Sequence, residues 1–235
     1  MAQITGGELL VRCLHAEGIR YVHAITDGTY MMVLEALERL GKEFGMQLIV
    51  PRHEAAAAHA CDAYTRCTGN PAVVMACAGP GAANLIAGLM CAEAEGSPVV
   101  AITTTRRSTI SDSYVHQGGM QVSRHLEIFK PAVKWNGKVD HWSRLPDMVR
   151  HAFRVATSGR PGPVHILIPE DILNARDEED SVQIWVPEKY RVTAAKYHDM
   201  FDLPDIANQI GYPLYMKPFD GGGWRGVSRV NDETG

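Results

Sequence analysis

The chain has 235 residues, of which 46% are hydrophobic, 21% charged and 7% aromatic, with 22 Gly and 13 Pro. That composition fits one large globular domain or one and a half ordinary ones. It is too apolar for a disordered chain and lacks a collagen or coiled-coil period. Basic residues number 23 against 27 acidic, with no Lys/Arg cluster larger than Arg106-Arg107, so no nucleic-acid partner is expected.

No run reaches the roughly 20 apolar residues of a membrane span, and Met1-Ala2-Gln3-Ile4 lacks the basic start and apolar run of a signal peptide. The five cysteines (13, 61, 67, 77 and 91) include no Cys-x-x-Cys pair and lie in apolar segments, where a reduced thiol serves as a small hydrophobe. A cytoplasmic location is expected.

In chain order, helix and strand patterns alternate over the first 175 residues. Thr5-Gly-Gly-Glu8 reads as a capping box opening a helix to about Gly18. A strand follows over Ile19–Ile25. A helix over Tyr30–Leu40 carries Met31, Leu34, Leu37 and Leu40 at three-residue steps, with Gly41 as its stop. Gln47–Val50 reads as a strand, Ala55–Thr68 as an Ala-rich helix, Ala72–Cys77 as a fully apolar strand, Ala82–Glu95 as a helix and Val99–Thr104 as a strand. After a less regular stretch come a helix over Leu145–Ser158 and a strand over Val164–Ile168. Strands apolar on both faces that alternate with helices predict an α/β fold: an open parallel sheet with helices on both faces. Ligands bind such sheets beyond the carboxyl ends of the strands. Asp27-Gly28, His53-Glu54, Gly79–Gly81 and Thr103–Arg106 should therefore share one edge.

Past Asp171 the character changes. The run 174–180 is rich in charge and reads as solvated, most simply as the start of a linker. A weak strand pattern covers Val182–Val186. The organisation predicted is a domain over 1–175, a linker over 176–203 and a short incomplete segment over 204–235.

Several generic motifs fail. Gly79-Pro80-Gly81 lacks the third glycine of a dinucleotide fingerprint, and neither Gly41-Lys42 nor Gly137-Lys138 is followed by Ser or Thr as a P-loop requires. His53 and His59, six residues apart at about 100° each, point roughly 120° apart, whereas a helical metal pair needs a four-residue step. No metal site is expected. Glu54 is more informative, since it leaves a strand and opens a helix that continues with four alanines. A carboxylate there can simply complement the helix dipole. It can also sit in a poorly solvated crevice and share a proton with a ligand nitrogen.

The order of motifs chooses between these readings. Val50-Pro-Arg-His-Glu54 and its alanine helix to Gly69 are followed by Ala78-Gly79-Pro80-Gly81-Ala-Ala-Asn84-Leu85. Ser97-Pro98-Val99-Val100-Ala-Ile-Thr103 and Ser158-Gly159-Arg160-Pro161-Gly162-Pro163-Val164 come after. Over about Ile4 to Asp171 this resembles the pyrimidine-binding (PYR) domain of thiamine-diphosphate enzymes of the acetolactate synthase type.

The resemblance implies that Glu54 is the family glutamate. It would hold a proton against a ring nitrogen of the aminopyrimidine, so that the cofactor loses its thiazolium proton and attacks a 2-oxo acid. Gly79, Pro80, Gly81 and Asn84 would line the pyrimidine pocket, with Thr26 beside them. Gly118-Gly119-Met120-Gln121 and the later Lys130-Pro131-Ala-Val-Lys134 match a further family segment, which places Gln121 and Lys134 on the substrate side. Counting without gaps from Thr103 selects Gln117 instead of Gln121. His23-Ala24-Ile25-Thr26-Asp27-Gly28 departs from the Phe-Gly-Ile-Pro-Gly-Gly of many relatives, Met120 replaces a Phe and Val122 a Glu. For His23, His53 and His116 a hydrogen-bonded structural role is expected ahead of acid–base work.

Members of this family carry a diphosphate-binding (PP) domain whose Gly-Asp-Gly and paired Asn hold Mg2+, and this chain has no such motif. The resemblance therefore implies thiamine diphosphate as cofactor, with Mg2+ supplied by a PP domain outside this chain. It also implies a homo-oligomer, or a hetero-oligomer with a PP-domain subunit. In the tail, Ala207 to Val227 with Lys217 and the glycines at 221–223 resembles the lysine strand and glycine flap of ATP-grasp ligases. Three functions stay open at this point: the PYR half of an enzyme acting on 2-oxo acids, a non-catalytic PYR module, and an ATP-grasp-type ligase fragment.

Overall fold

Short apolar runs between Gly, Pro and Asn lie side by side as parallel strands, each reached from the last through a helix. The computed structural model describes residues 3–111 and 121–191, and further on two short strands at 214–216 and 228–230. In chain order the elements are β1 Gln3–Thr5, α1 Gly6–Ala16, β2 Tyr21–Ala24, α2 Met31–Phe44, β3 Gln47–Ile49, α3 Glu54–Thr68, β4 Ala72–Ala76, α4 Pro80–Ala83, α5 Ile86–Glu95 and β5 Val99–Thr105. They continue with α6 Ser108–Ser111, α7 His125–Phe129, β6 Trp135–Lys138, α8 Leu145–Thr157, β7 Val164–Pro169, α9 Glu170–Asn174 and β8 Arg176–Glu178. One six-stranded sheet, ordered β3-β2-β4-β5-β7-β6 and wholly parallel, organises the unit formed by residues 1–190. In the second unit, 191–235, β9 Leu214–Met216 pairs antiparallel with β10 Ser228–Val230.

Side chains alternate between the two faces of a strand, and here both faces are covered. On one, Val73, Met75, Val100, Ile102 and Ile166 pack with Leu10 and Leu14 of α1, Val33 of α2 and Phe153 of α8. On the other, Val74, Ala76, Val99 and Ala101 meet Ala57, Ala58 and Cys61 of α3, Leu89 of α5 and Phe129 of α7. This is the α/β sheet expected from the sequence. Small residues of α3 let that helix lie close on the second face, which sets Glu54, its first residue, at the rim of the sheet.

Several local expectations differ. The capping box is half made: Thr5 Oγ1 accepts the Glu8 N–H at 3.0 Å, while the Glu8 carboxylate pairs with Arg12 at 2.8 Å and with Arg39. Opposite charges outcompete a neutral N–H. Helix α2 runs through the buried Gly41 and ends at Gly45, whose φ of 65° provides the left-handed cap. Val182–Val186 forms no strand. Instead β8, within the charged run, pairs antiparallel with β1, and residues 176–190 lie in the first unit. Strand β6 carries no apolar run because it is half-buried at the sheet edge. Among the described residues no helix is long and apolar enough to cross a membrane, and all five cysteines are free thiols.

Candidate functional site

Because all six sheet strands point one way, the loops at their carboxyl ends meet at one edge. Asp27 follows β2, Glu54 follows β3, Cys77 to Gly81 follow β4, and Thr103 and Thr104 stand near the end of β5. Glu54 reaches this edge because His53 does the capping. His53 is extended, and its Nδ1 accepts the Ala55 N–H at 3.1 Å, which frees the Glu54 carboxylate to face the crevice. There Glu54 Oε2 accepts a hydrogen bond from Asn84 Nδ2 at 3.0 Å. The single helix expected over Ala82–Glu95 is broken at Asn84-Leu85 between α4 and α5, and that break presents Asn84 to the carboxylate.

The Gly79-Pro80-Gly81 turn closes one wall. Gly79 has φ 69° and ψ −119°, a conformation that L side chains rarely adopt. Its missing Cβ would stand 2.8 Å from the Gln121 Cα. At Gly81 a Cβ would meet Cys77 Sγ at 2.4 Å and Glu54 Oε1 at 3.1 Å. The glycine thus leaves room beside the carboxylate. Gly81→Ala is expected to destabilise the fold by about 1–3 kcal/mol through overpacking, and adding Cys77→Ala should recover most of that loss. Thermal melts of the two variants check this, and an unchanged melting temperature in Gly81→Ala would contradict the contact.

Charge in the crevice is negative. Burial pushes the Cys77 thiol up, and the Asp27 and Glu54 carboxylates push it further in the same direction. Burial also raises the Tyr30 phenol, followed by Cys77, Asp27 and Glu54. Cys77 and Tyr30 therefore stay protonated and neutral here, and two carboxylates set the field. Such a field favours a ligand ring that carries or shares a proton. Asp27 is itself held: its Oδ1 accepts the Thr29 N–H at 2.8 Å and the Thr29 hydroxyl at 2.6 Å, and Thr29 Oγ1 lies 2.5 Å from Thr104 Oγ1. The Tyr30 hydroxyl donates to the Ile25 carbonyl.

Of the residues singled out from the sequence, Glu54, Gly79, Pro80, Gly81 and Asn84 come together. Gln121 joins them beside Gly79, with a φ of 69°. Gly79, Pro80 and Ala83 on one side and Gln121, Val122 and Ser123 on the other line a pocket of about 330 Å3. Thr26 is exposed, and its neighbour Asp27 is the residue whose charge reaches Cys77. Lys134 does not come to this edge. It precedes β6, at the opposite end of the strands, and its Nζ donates to the carbonyls of Val155 at 2.7 Å, Ser158 at 2.5 Å and Arg160 at 2.8 Å. Those carbonyls lie in and beyond the last turn of α8, where a cation is favoured, so within this chain Lys134 caps that helix.

His23 is buried with its Nδ1 3.3 Å from Cys61 Sγ, a structural role like that of His53. Gln117, His116 and the lysine of the tail, Lys217, lie outside the described residues. No group of His, Cys, Asp and Glu that could hold a metal ion occurs among the described residues. Asp27 stands on the same edge as Glu54, as the sheet pattern implied, while Tyr30 and Cys77 were not foreseen as neighbours of Glu54. A thiol directly after the fully apolar strand β4 and two residues before Gly79-Pro80 was the signal for Cys77.

A wholly parallel six-stranded sheet with helices on both faces is consistent with the PYR domain of thiamine enzymes. The family described as "Thiamine pyrophosphate enzyme, N-terminal TPP binding domain" matches residues 4–127, and the chain belongs to that family. It is 33% identical over 213 residues to a probable acetolactate synthase large subunit of Methanocaldococcus jannaschii, covering 90% of this chain and 32% of that protein. It is 36% identical over 169 residues to an acetolactate synthase of Bacillus subtilis, covering 72% and 28% of the two chains. With an acetolactate synthase isozyme 3 large subunit of Escherichia coli the identity is 33% over 174 residues, or 74% and 29%. The chain thus spans about a third of the length of these relatives. The match to the Methanocaldococcus jannaschii protein is long enough to include part of 204–235, and no comparison supports an ATP-grasp likeness there.

Proposed function

We propose that this chain supplies the pyrimidine-binding half of a thiamine-diphosphate-dependent enzyme acting on 2-oxo acids, and that a PP domain outside residues 1–235 supplies Mg2+ and the diphosphate site. The observation that carries this reading is the Glu54 carboxylate held by Asn84 at 3.0 Å beside the Gly81 cradle. The donor set fits the cofactor: a carboxylate for a basic ring nitrogen, and backbone without side chains where a flat ring must approach. When bound, thiamine diphosphate supplies a nucleophilic carbon that adds to the carbonyl of a 2-oxo acid.

Glu54 holds a proton at the ring nitrogen that faces it. Asn84 fixes the carboxylate through Oε2 and leaves Oε1 toward Gly81. Cys77, neutral, adds no competing charge. Gln121 and the pocket between it and Pro80 lie where a substrate would approach. The chain works as a homo-oligomer or a hetero-oligomer in which the PP domain faces this edge.

Calorimetric titration with thiamine diphosphate and Mg2+ tests the reading, on protein purified from its source with whatever subunit accompanies it. Saturable, Mg2+-dependent binding with a co-purifying PP-domain protein is the expected result. A chain that purifies alone and shows no binding would instead be a PYR fold without catalysis.

A further inference from the structure

A buried hydrogen-bond chain runs from the cradle into the core, and nothing in the chemistry above uses it. The Gly79 N–H donates to His125 Nε2 at 3.2 Å. His125 Nδ1 lies 2.9 Å from Thr103 Oγ1, which lies 2.7 Å from His165 Nε2. These groups are closed to solvent: His125 is 1% exposed, and Thr103 and His165 are 0% exposed. Four elements are tied together, the β4–α4 turn, α7, β5 and β7. Phe129 stacks on the His165 ring at 3.9 Å between centroids and 11° between planes, which fixes the orientation of that ring.

The direction of the chain follows from its first donor. A backbone N–H can only donate, so His125 Nε2 carries no proton and the neutral ring carries its proton on Nδ1. Nδ1–H then donates to the Thr103 hydroxyl, whose own proton goes to His165 Nε2. His165 is left with its proton on Nδ1, a buried atom without a hydrogen-bond partner among the described residues. A buried polar group left unpaired is costly, and here it sits at the far end of a chain whose near end holds the cradle. Without His125 the Gly79 N–H, in its strained turn, would be the unpaired group instead.

We propose that His125 is a positioning residue for the cofactor cradle: it accepts the Gly79 N–H through Nε2, and Thr103, backed by His165, selects the tautomer that makes Nε2 an acceptor. The Gly79 turn carries Pro80 and Gly81, so its position sets the gap between Gly81 and Glu54. That the gap serves thiamine diphosphate rests on the function proposed above. The hydrogen-bond chain itself does not.

The test begins on the unliganded protein. Long-range proton–nitrogen NMR of the imidazoles should show His125 and His165 both protonated on Nδ1 at neutral pH, and the Gly79 amide should exchange slowly with solvent. A His125 protonated on Nε2 overturns the proposal without any variant. His125→Leu should speed Gly79 exchange about tenfold, a loss typical of one hydrogen bond. His125→Gln, whose side-chain oxygen falls near the place of Nε2, should restore protection, which a space-filling role would not require. Thr103→Val should speed exchange and Thr103→Ser should not.

In the assembled protein, thiamine diphosphate affinity should fall with His125→Leu and recover with His125→Gln. Equal affinity in wild type and His125→Leu overturns the positioning role. Absence of cofactor binding in wild type, with tautomers and exchange as expected, overturns the proposed function and leaves the Gly79–His125 contact standing.

Discussion

Glu54→Gln should reduce turnover of a 2-oxo acid by at least about 100-fold in the assembled enzyme, the lower range for losing a proton-transfer group, with the fold unharmed. Gln keeps the length of the side chain, and its carbonyl oxygen can still accept from Asn84 Nδ2, now 3.0 Å from Oε2. What is lost is the negative charge and the ability to hold a proton against a ring nitrogen. At the start of α3 that charge also favours the helix dipole, so stability should fall by no more than about 1 kcal/mol. Turnover and thermal melts measured on the same preparations separate the two effects. Undiminished turnover in Glu54→Gln would remove Glu54 from the chemistry and with it the reading of this edge as a thiamine site. A large loss of stability would mean that the carboxylate is structural and that the kinetics report unfolding.

How much of this was legible in the sequence depends on what each residue answers to. Strands β4, β5 and β7 are apolar on both faces because helices cover both, and that pattern is written in consecutive residues. The edge strand β6 is half-buried, and Trp135-Asn-Gly-Lys138 carries no such run. Glu54, Gly79–Gly81 and Asn84 were legible as an ordered set of motifs, whereas the break that aims Asn84 was hidden in the helical pattern of Ala82–Glu95. The position of Lys134 at the other end of the strands was not legible, because a lysine before a strand says nothing about which end of the sheet it stands at. Its three carbonyl partners come from residues 21 to 26 positions further on. The same holds for His125 and His165, which lie 40 residues apart and meet through Thr103. Only the register of β5 with β7, which pairs Ala101 with His165 and Thr103 with Leu167, brings these side chains together.

That pair of histidines also dictates how the protein meets acid. Burial lowers His125 from an ordinary 6.5 to about 4, and burial with the nearby His125 lowers His165 well below its usual value. The sign follows from proton counts. Between about pH 6.5 and pH 4 the unfolded chain binds a proton at each histidine that the folded chain refuses, so stability falls as pH falls through that window. The contribution is fully present above pH 6.5, and the His125 part is spent below about pH 4. A tenfold difference in proton affinity between the folded and unfolded chain is worth about 1.4 kcal/mol, so His125 alone should cost about 2 kcal/mol by pH 5 and about 3 kcal/mol in full. His165, facing it from β7, adds in the same direction. Denaturant unfolding at pH 7, 6 and 5 should therefore show a steep loss of stability, and His125→Gln, which has no proton to take up, should flatten part of it. Equal pH slopes for wild type and His125→Gln would mean that His125 takes up its proton in the fold as readily as out of it. Its Nε2 would then be a donor at mildly acid pH, where it could not accept the Gly79 N–H.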